Sequence, residues 1–193
     1  MFVVYITICF IFNIFLGYLH LESIKKLHLH KLFEMQQQDL VHTNREFGSP
    51  IYVYDSHMME RQYTRLTQAF SAVSHLRINY AVKALSNLSV LKWMHQLGAG
   101  LDTVSIQEVQ LGLAAGVAPH EIIYTPNAVS LSEIEEVAQL GVQINIDNLA
   151  VLEQFGTAHP TVPVCIRINP HIMAGGNANI SVGHIDSKFG ISI

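Results

Sequence analysis

Five short apolar segments recur at a nearly constant interval, and that interval limits what this chain can fold into. Ile78–Val82, Leu101–Val104, Ile122–Thr125, Gln143–Ile146 and Val164–Ile168 each read as a strand, rich in β-branched residues and bounded by turn residues. Their centres fall about 21 to 22 residues apart, four times running, as a repeated β/α unit requires. Amphipathic helices are predicted between them at Leu88–Leu97, Ile106–Ala115, Leu131–Leu140 and Leu149–Phe155, followed by Gly98, Gly116, Gly141 and Gly156. Ser130, and Ser132 with Glu135 three residues on, are helix-start signals. Strands joined by single helices through short links run parallel. The even period, with no long crossover, favours a barrel over a doubly wound open sheet. No G-x-G-x-x-G follows a strand, which speaks against a dinucleotide site.

The chain has 193 residues, short of the roughly 250 of a closed eight-stranded barrel. The predicted fold class is therefore α/β, an incomplete (β/α)8 TIM-type barrel with about five units. Before the repeat, Phe47-Gly48-Ser49-Pro50 turns into a strand candidate, Ile51–Tyr54, and a helix carrying Met59, Tyr63, Leu66 and Phe70 on one face, capped by Asp55 or Ser56.

Lys plus Arg is 11 and Asp plus Glu is 15, a formal charge of −4, so the basic footprint of a general nucleic-acid binder is missing. Hydrophobic residues make up 50% and charged residues 13%, which excludes wholesale disorder. Cys9 and Cys165 cannot form a disulfide framework, and a reducing compartment is expected.

The run Phe2–Leu19 stands apart: it has no charge and only Thr7 and Asn13 as clearly polar side chains. Its length is near that of a membrane-spanning helix. No Lys or Arg precedes it and no small-residue cleavage site follows. Its β-branched and aromatic residues are equally compatible with a buried strand. A cytoplasmic location is expected, with a membrane anchor through residues 2–19 as the alternative. Leu21–Asn44 reads as a polar amphipathic helix with His20, His28, His30 and His42 nearby. His28 and His30 fall on different helix faces, so solvated histidines are expected there and no metal site is assigned.

In β/α barrels the chemistry lies at the C-terminal ends of the strands. Tyr80-Ala81-Val82-Lys83 ends the first repeat strand, and period-2 alternation puts Lys83 on the face of Ala81, at the mouth. A lysine so placed can act as a nucleophilic amine towards a carbonyl, or can be a rim lysine reaching into water. Asp102, on the next strand, can pair with it or cap a turn. Arg167, inside the apolar run Cys165-Ile166-Arg167-Ile168, needs an acidic or anionic partner. Cys165 reads as a small buried side chain. In the loop-like stretch Pro170–Gly190, Gly175-Gly176 and Gly183 lack phosphate-loop spacing, and His184 is a lone loop histidine that could meet a ligand or the solvent.

The octapeptide Tyr80-Ala81-Val82-Lys83-Ala84-Leu85-Ser86-Asn87 resembles the pyridoxal-phosphate lysine motif of the alanine-racemase-like, fold type III amino-acid decarboxylases. Phe47–Asp55, Gly98–Val117, Ile122–Ser130, Ile144–Phe155, Cys165–Pro170 and His184–Ser192 match further segments in the expected order. The resemblance covers about residues 46 to 193 and is greatest to the branch acting on meso-2,6-diaminopimelate. Racemases would continue the lysine motif with Tyr-Gly-His, where this chain has Leu85-Ser86-Asn87.

The resemblance implies a barrel domain over residues 46–193, with residues 1–45 outside the family pattern. It implies pyridoxal 5'-phosphate as cofactor, Lys83 as the lysine bonded to it, and Asp102, Arg167 and His184 around it. The implied reaction releases carbon dioxide from meso-diaminopimelate and leaves L-lysine, the last step of lysine biosynthesis. Ornithine, arginine and carboxynorspermidine are the alternative substrates of sister enzymes, and a non-catalytic pyridoxal-phosphate carrier is an alternative of another class. The family's later barrel strands, cofactor-stacking histidine, phosphate-binding glycines and C-terminal β domain have no counterpart here. The chain is therefore expected to be the N-terminal part of a homodimeric enzyme, inactive alone.

Overall fold

The computed structural model describes residues 5–8, 37–172 and 187–192. The chain divides into two compact units, one comprising Met1–Phe10 with Leu76–Ile193 and the other Ile11–His75.

The first unit is built on a six-stranded parallel sheet whose spatial order is its sequence order. The strands are β1 (Tyr5–Ile8), β2 (Arg77–Ala81), β3 (Gly100–Thr103), β4 (Ile122–Tyr124), β5 (Gln143–Ile146) and β6 (Val164–Ile166). The second unit contributes α1 (Gln37–Phe47) and α2 (Ser56–Ala69). Helices α3 (Leu88–Gln96), α4 (Ile106–Ala114), α5 (Leu131–Gln139) and α6 (Leu149–Ala158) link β2 through β6. Each starts on a side-chain cap that satisfies orphan backbone N–H groups: Asn87, Ser105, Ser130 and Asn148. A two-stranded parallel pair follows, β7 (Ile168–Asn169) with β8 (Ile191–Ser192). The β/α repeat and the parallel sheet of an incomplete barrel are thus as expected, with strands and helices close to their predicted limits.

Strand alternation sorts the side chains. Leu101, Ile122, Tyr124, Ile144 and Ile146 are buried on one face and form the apolar core with Leu91, Val109, Val137 and Phe155 of the helices. Gly112 of α4 lies against Leu101 and Ile122. The Tyr124 hydroxyl donates to Glu133 Oε1 of α5 at 2.8 Å. The opposite face carries Asn79, Asp102, Gln143 and Asn145, a polar lining unusual for a sheet interior.

Three local expectations need correction. Ile51–Tyr54 forms no strand: no described segment pairs with it, Tyr52 is 92% exposed, and a strand without a partner has no ladder to hold it. The predicted strand Val164–Ile168 is split at Arg167 into β6 and β7. Cys165 is exposed, because β6 is the last strand of its sheet, and its sulfur accepts from Gln143 Nε2 at 3.0 Å.

Of the run Phe2–Leu19, Tyr5–Ile8 pairs in parallel with Arg77–Tyr80. The rest of that run, and His20, His28 and His30, lie outside the described residues. Of the stretch Leu21–Asn44 the described part, Gln37–Asn44, is helical and the remainder lies outside the described residues; His42 sits 3.5 Å from Glu46 Oε2. Among the described residues no helix is long and apolar enough to cross a membrane.

Candidate functional site

Strand β2 ends at Ala81 and tightens into a 3₁₀ turn, Val82–Ala84, that carries Lys83. Lys83 is therefore displayed by a turn, not by a continued strand, and its side chain is exposed. The turn is pinned from both sides. Leu85 N–H donates to Val82 O at 3.1 Å, and the Tyr80 hydroxyl donates to Leu85 O at 3.2 Å. Asn87 then caps α3, accepting from Ser89 N at 2.9 Å. A lysine mounted so has a fixed root and a mobile amine.

Asp102 lies on β3, in register with Ala81. It is only 7% exposed. Its Oδ1 accepts from the Thr125 hydroxyl at 2.9 Å, and Thr125 Oγ1 in turn accepts from Asn145 Nδ2 at 2.9 Å. Burial raises the Asp102 pKa above the ordinary carboxylate range, against the opposing pull of the Thr125 hydrogen bond and the charges of Lys83 and Arg167. Those two cations therefore stand near enough to act on its carboxyl.

Arg167 is half-buried at the break between β6 and β7. Its N–H donates to Ile146 O at 2.8 Å and its carbonyl accepts from Ile191 N at 2.8 Å, tying both sheets together. Its guanidinium lies 4.6 Å from the centroid of the Phe189 ring, a cation–π contact. The partner expected for this cation is thus an aromatic face together with the field of Asp102. His184 lies outside the described residues.

Sequence reasoning missed three participants. Glu108, in the first turn of α4, accepts from Val104 N–H at 2.8 Å while its own N–H donates to Ser105 Oγ at 3.3 Å. Burial raises its pKa, and Asp102 and Lys83 act on it in opposite senses, so it borders the same group. The Ser105-x-x-Glu108 spacing was a readable signal. Thr125 and Asn145 could have been suspected as polar residues at the same strand ends. Beyond them, Pro126, Asn127, Asp147, Asn148 and Lys188 line an opening of about 420 Å³. There Asn127 Nδ2 donates to Asp147 Oδ2 at 2.9 Å.

The ends of neighbouring strands therefore gather an amine, two partly buried carboxyls, a guanidinium and a hydroxyl–amide pair. Such a group can hold a carbonyl compound at the amine and control charge beside it.

Comparison with known proteins identifies the family. The family described as pyridoxal-dependent decarboxylase, pyridoxal binding domain, matches residues 56–193. A diaminopimelate decarboxylase of Methanothermobacter thermautotrophicus is 36% identical over 155 residues, covering 79% of this chain and 36% of the relative. That of Escherichia coli K12 is 32% identical over 170 residues, covering 84% of this chain and 39% of the relative. The crystal structure of diaminopimelate decarboxylase from Helicobacter pylori complexed with L-lysine superposes with a TM-score of 0.68 at 32% identity, over 81% of this chain and 40% of that one. The chain thus spans 36% and 39% of the length of the two curated relatives. By this match and its fold, the chain belongs to the pyridoxal-dependent decarboxylase family, through the pyridoxal-binding domain.

Proposed function

We propose that residues 46–193 are the lysine-bearing part of the cofactor barrel in an enzyme that converts meso-2,6-diaminopimelate to L-lysine and carbon dioxide. The observation that carries the reading is Lys83, held on a pinned turn at the strand ends, with Asp102 within reach of its charge and of that of Arg167. The curated relatives support the substrate by name, and one solved relative was crystallised with L-lysine.

The residues present fit the aldehyde end of pyridoxal phosphate. Lys83 offers an exposed primary amine, the group that would hold the aldehyde. Arg167 and Asp102 supply opposite charges for the polar edge of a bound ring, with His184 proposed alongside. Asn145 Oδ1 is a buried acceptor with no hydrogen-bond partner among the described residues.

When bound, the cofactor supplies an electron-accepting ring that takes up the pair left as the α-carboxylate departs. This chain's own residues hold and position the amine. Tyr80 and Asn87 fix the root of Lys83. Asp102 holds negative charge beside the Lys83 amine, and that amine, when it carries the proton, can return it where carbon dioxide has left. The apolar core behind β2 to β5 keeps these strand ends in place.

The active species proposed is a full-length homodimer in the cytoplasm, with residues 1–45 outside the family's domain although Tyr5–Ile8 pairs with β2. Carbon dioxide release from meso-diaminopimelate, ornithine and arginine, measured side by side on the complete enzyme containing this domain, tests the reading. Preference for meso-diaminopimelate is expected. Turnover of ornithine or arginine with diaminopimelate inert overturns the substrate assignment.

A further inference from the structure

Asp102 is a buried carboxylate that must stay charged and aimed to serve Lys83, and a buried charge persists only if something holds it. The structure shows what touches it. A threonine hydroxyl has one proton to give and lone pairs to accept with. Asn145 Nδ2 donates to Thr125 Oγ1, so that oxygen is the acceptor on its Asn145 side. The Thr125 proton is then committed to Asp102 Oδ1. Three adjacent strands thus contribute one directed chain, Asn145 to Thr125 to Asp102, and hydrogen bonds in series strengthen one another. Among the described residues the carbonyl end of Asn145 makes no bond that would pull the amide elsewhere.

We propose that Thr125 and Asn145 are positioning residues: a two-step relay that keeps the Asp102 carboxylate ionised and oriented beside Lys83. The functional half of this statement rests on the proposed role of Lys83, whereas the relay itself does not.

The test follows the titration of the Asp102 side chain by carbon-13 NMR in the purified chain, without cofactor. Thr125→Val keeps the shape of the side chain and removes the proton. It should raise the Asp102 midpoint by about one pH unit, the size of a charge-assisted hydrogen bond lost. Thr125→Ser should restore the wild-type midpoint. Asn145→Ala should raise it less, and should have no further effect in the Thr125→Val background, because its influence passes through the hydroxyl. A merely structural asparagine would shift both backgrounds alike. If Asn145→Ala does not fold, the Thr125→Val and Thr125→Ser pair decides alone. An unchanged midpoint in Thr125→Val, or a full Asn145→Ala effect without the hydroxyl, overturns the relay. Borohydride trapping of pyridoxal phosphate on wild-type Lys83 is scored in parallel. Trapping without the midpoint shift sinks the relay and leaves the cofactor reading standing. The shift without trapping supports the relay and sinks the cofactor reading.

Discussion

At Gly100 the polar face leaves no room for a side chain, and Gly100→Ala should destabilise the domain. Gly100 is in register with Asn79 on the neighbouring strand. A Cβ there would stand 2.6 Å from the carbonyl oxygen of Glu121 and would overlap Asn79 Oδ1. Neither neighbour can yield cheaply. Glu121 O is backbone immediately before β4, where Ile122 is in register with Leu101. The Asn79 side chain is fully buried. Overpacking of this kind costs up to about 3 kcal/mol. Replacing glycine recovers up to about 1 kcal/mol through the unfolded chain. The balance of about 2 kcal/mol lowers Tm by about 4 to 8 °C. Two other glycines serve as controls. At Gly112 the added carbon meets Leu101 Cδ1 at 2.7 Å, the end of a side chain that can turn aside, so Gly112→Ala should lie between wild type and Gly100→Ala. At Gly156, inside α6, nothing stands within 4 Å, and Gly156→Ala should gain about 1 kcal/mol of helix propensity. Melting by circular dichroism should rank Gly156→Ala highest and Gly100→Ala lowest. Gly100→Ala melting at or above wild type refutes the packing argument.

Burial raises the pKa of Asp102 in the folded chain above its unfolded value of about 3.9. The protonated form is therefore favoured by folding, and this stabilisation is complete below the unfolded pKa and lost as pH rises through the folded one. Asp102→Asn should flatten that stretch of the Tm–pH curve and not lower Tm at pH 7, while reducing cofactor trapping at Lys83; a steeper curve would contradict the assignment. Asn87→Ala removes the cap that accepts from Ser89 and Val90, and urea unfolding should show a loss of about 1 kcal/mol. Phe155→Ala empties a site only 1% exposed and should cost about 3 to 5 kcal/mol in the same assay.

The β/α repeat was legible because each helix carries its own punctuation. Ser130 caps α5, and Gly98, Gly116 and Gly141 follow helix ends with positive φ. Local chemistry of that kind survives into the fold unchanged. What the sequence hid is relational. Alternation puts Lys83 on a strand, but the Tyr80–Leu85 hydrogen bond closes a turn there instead. Arg167 breaks its strand because Ile191, 24 residues on, takes its carbonyl. Cys165 reads as buried until the sheet order makes β6 an edge. The members of the chain from Asn145 to Asp102 recur at about the β/α interval, but that interval does not say which side chains meet, and only the register of β3, β4 and β5 brings them together.

Lys83 is the lysine proposed to hold the cofactor, and chemical trapping tests it directly. The chain would be incubated with pyridoxal phosphate, reduced with borohydride, and mapped by peptide mass spectrometry. A pyridoxyl group is expected on Lys83, absent from Lys83→Ala. Label scattered over Lys25, Lys26, Lys31 and Lys92 with none on Lys83 would contradict it.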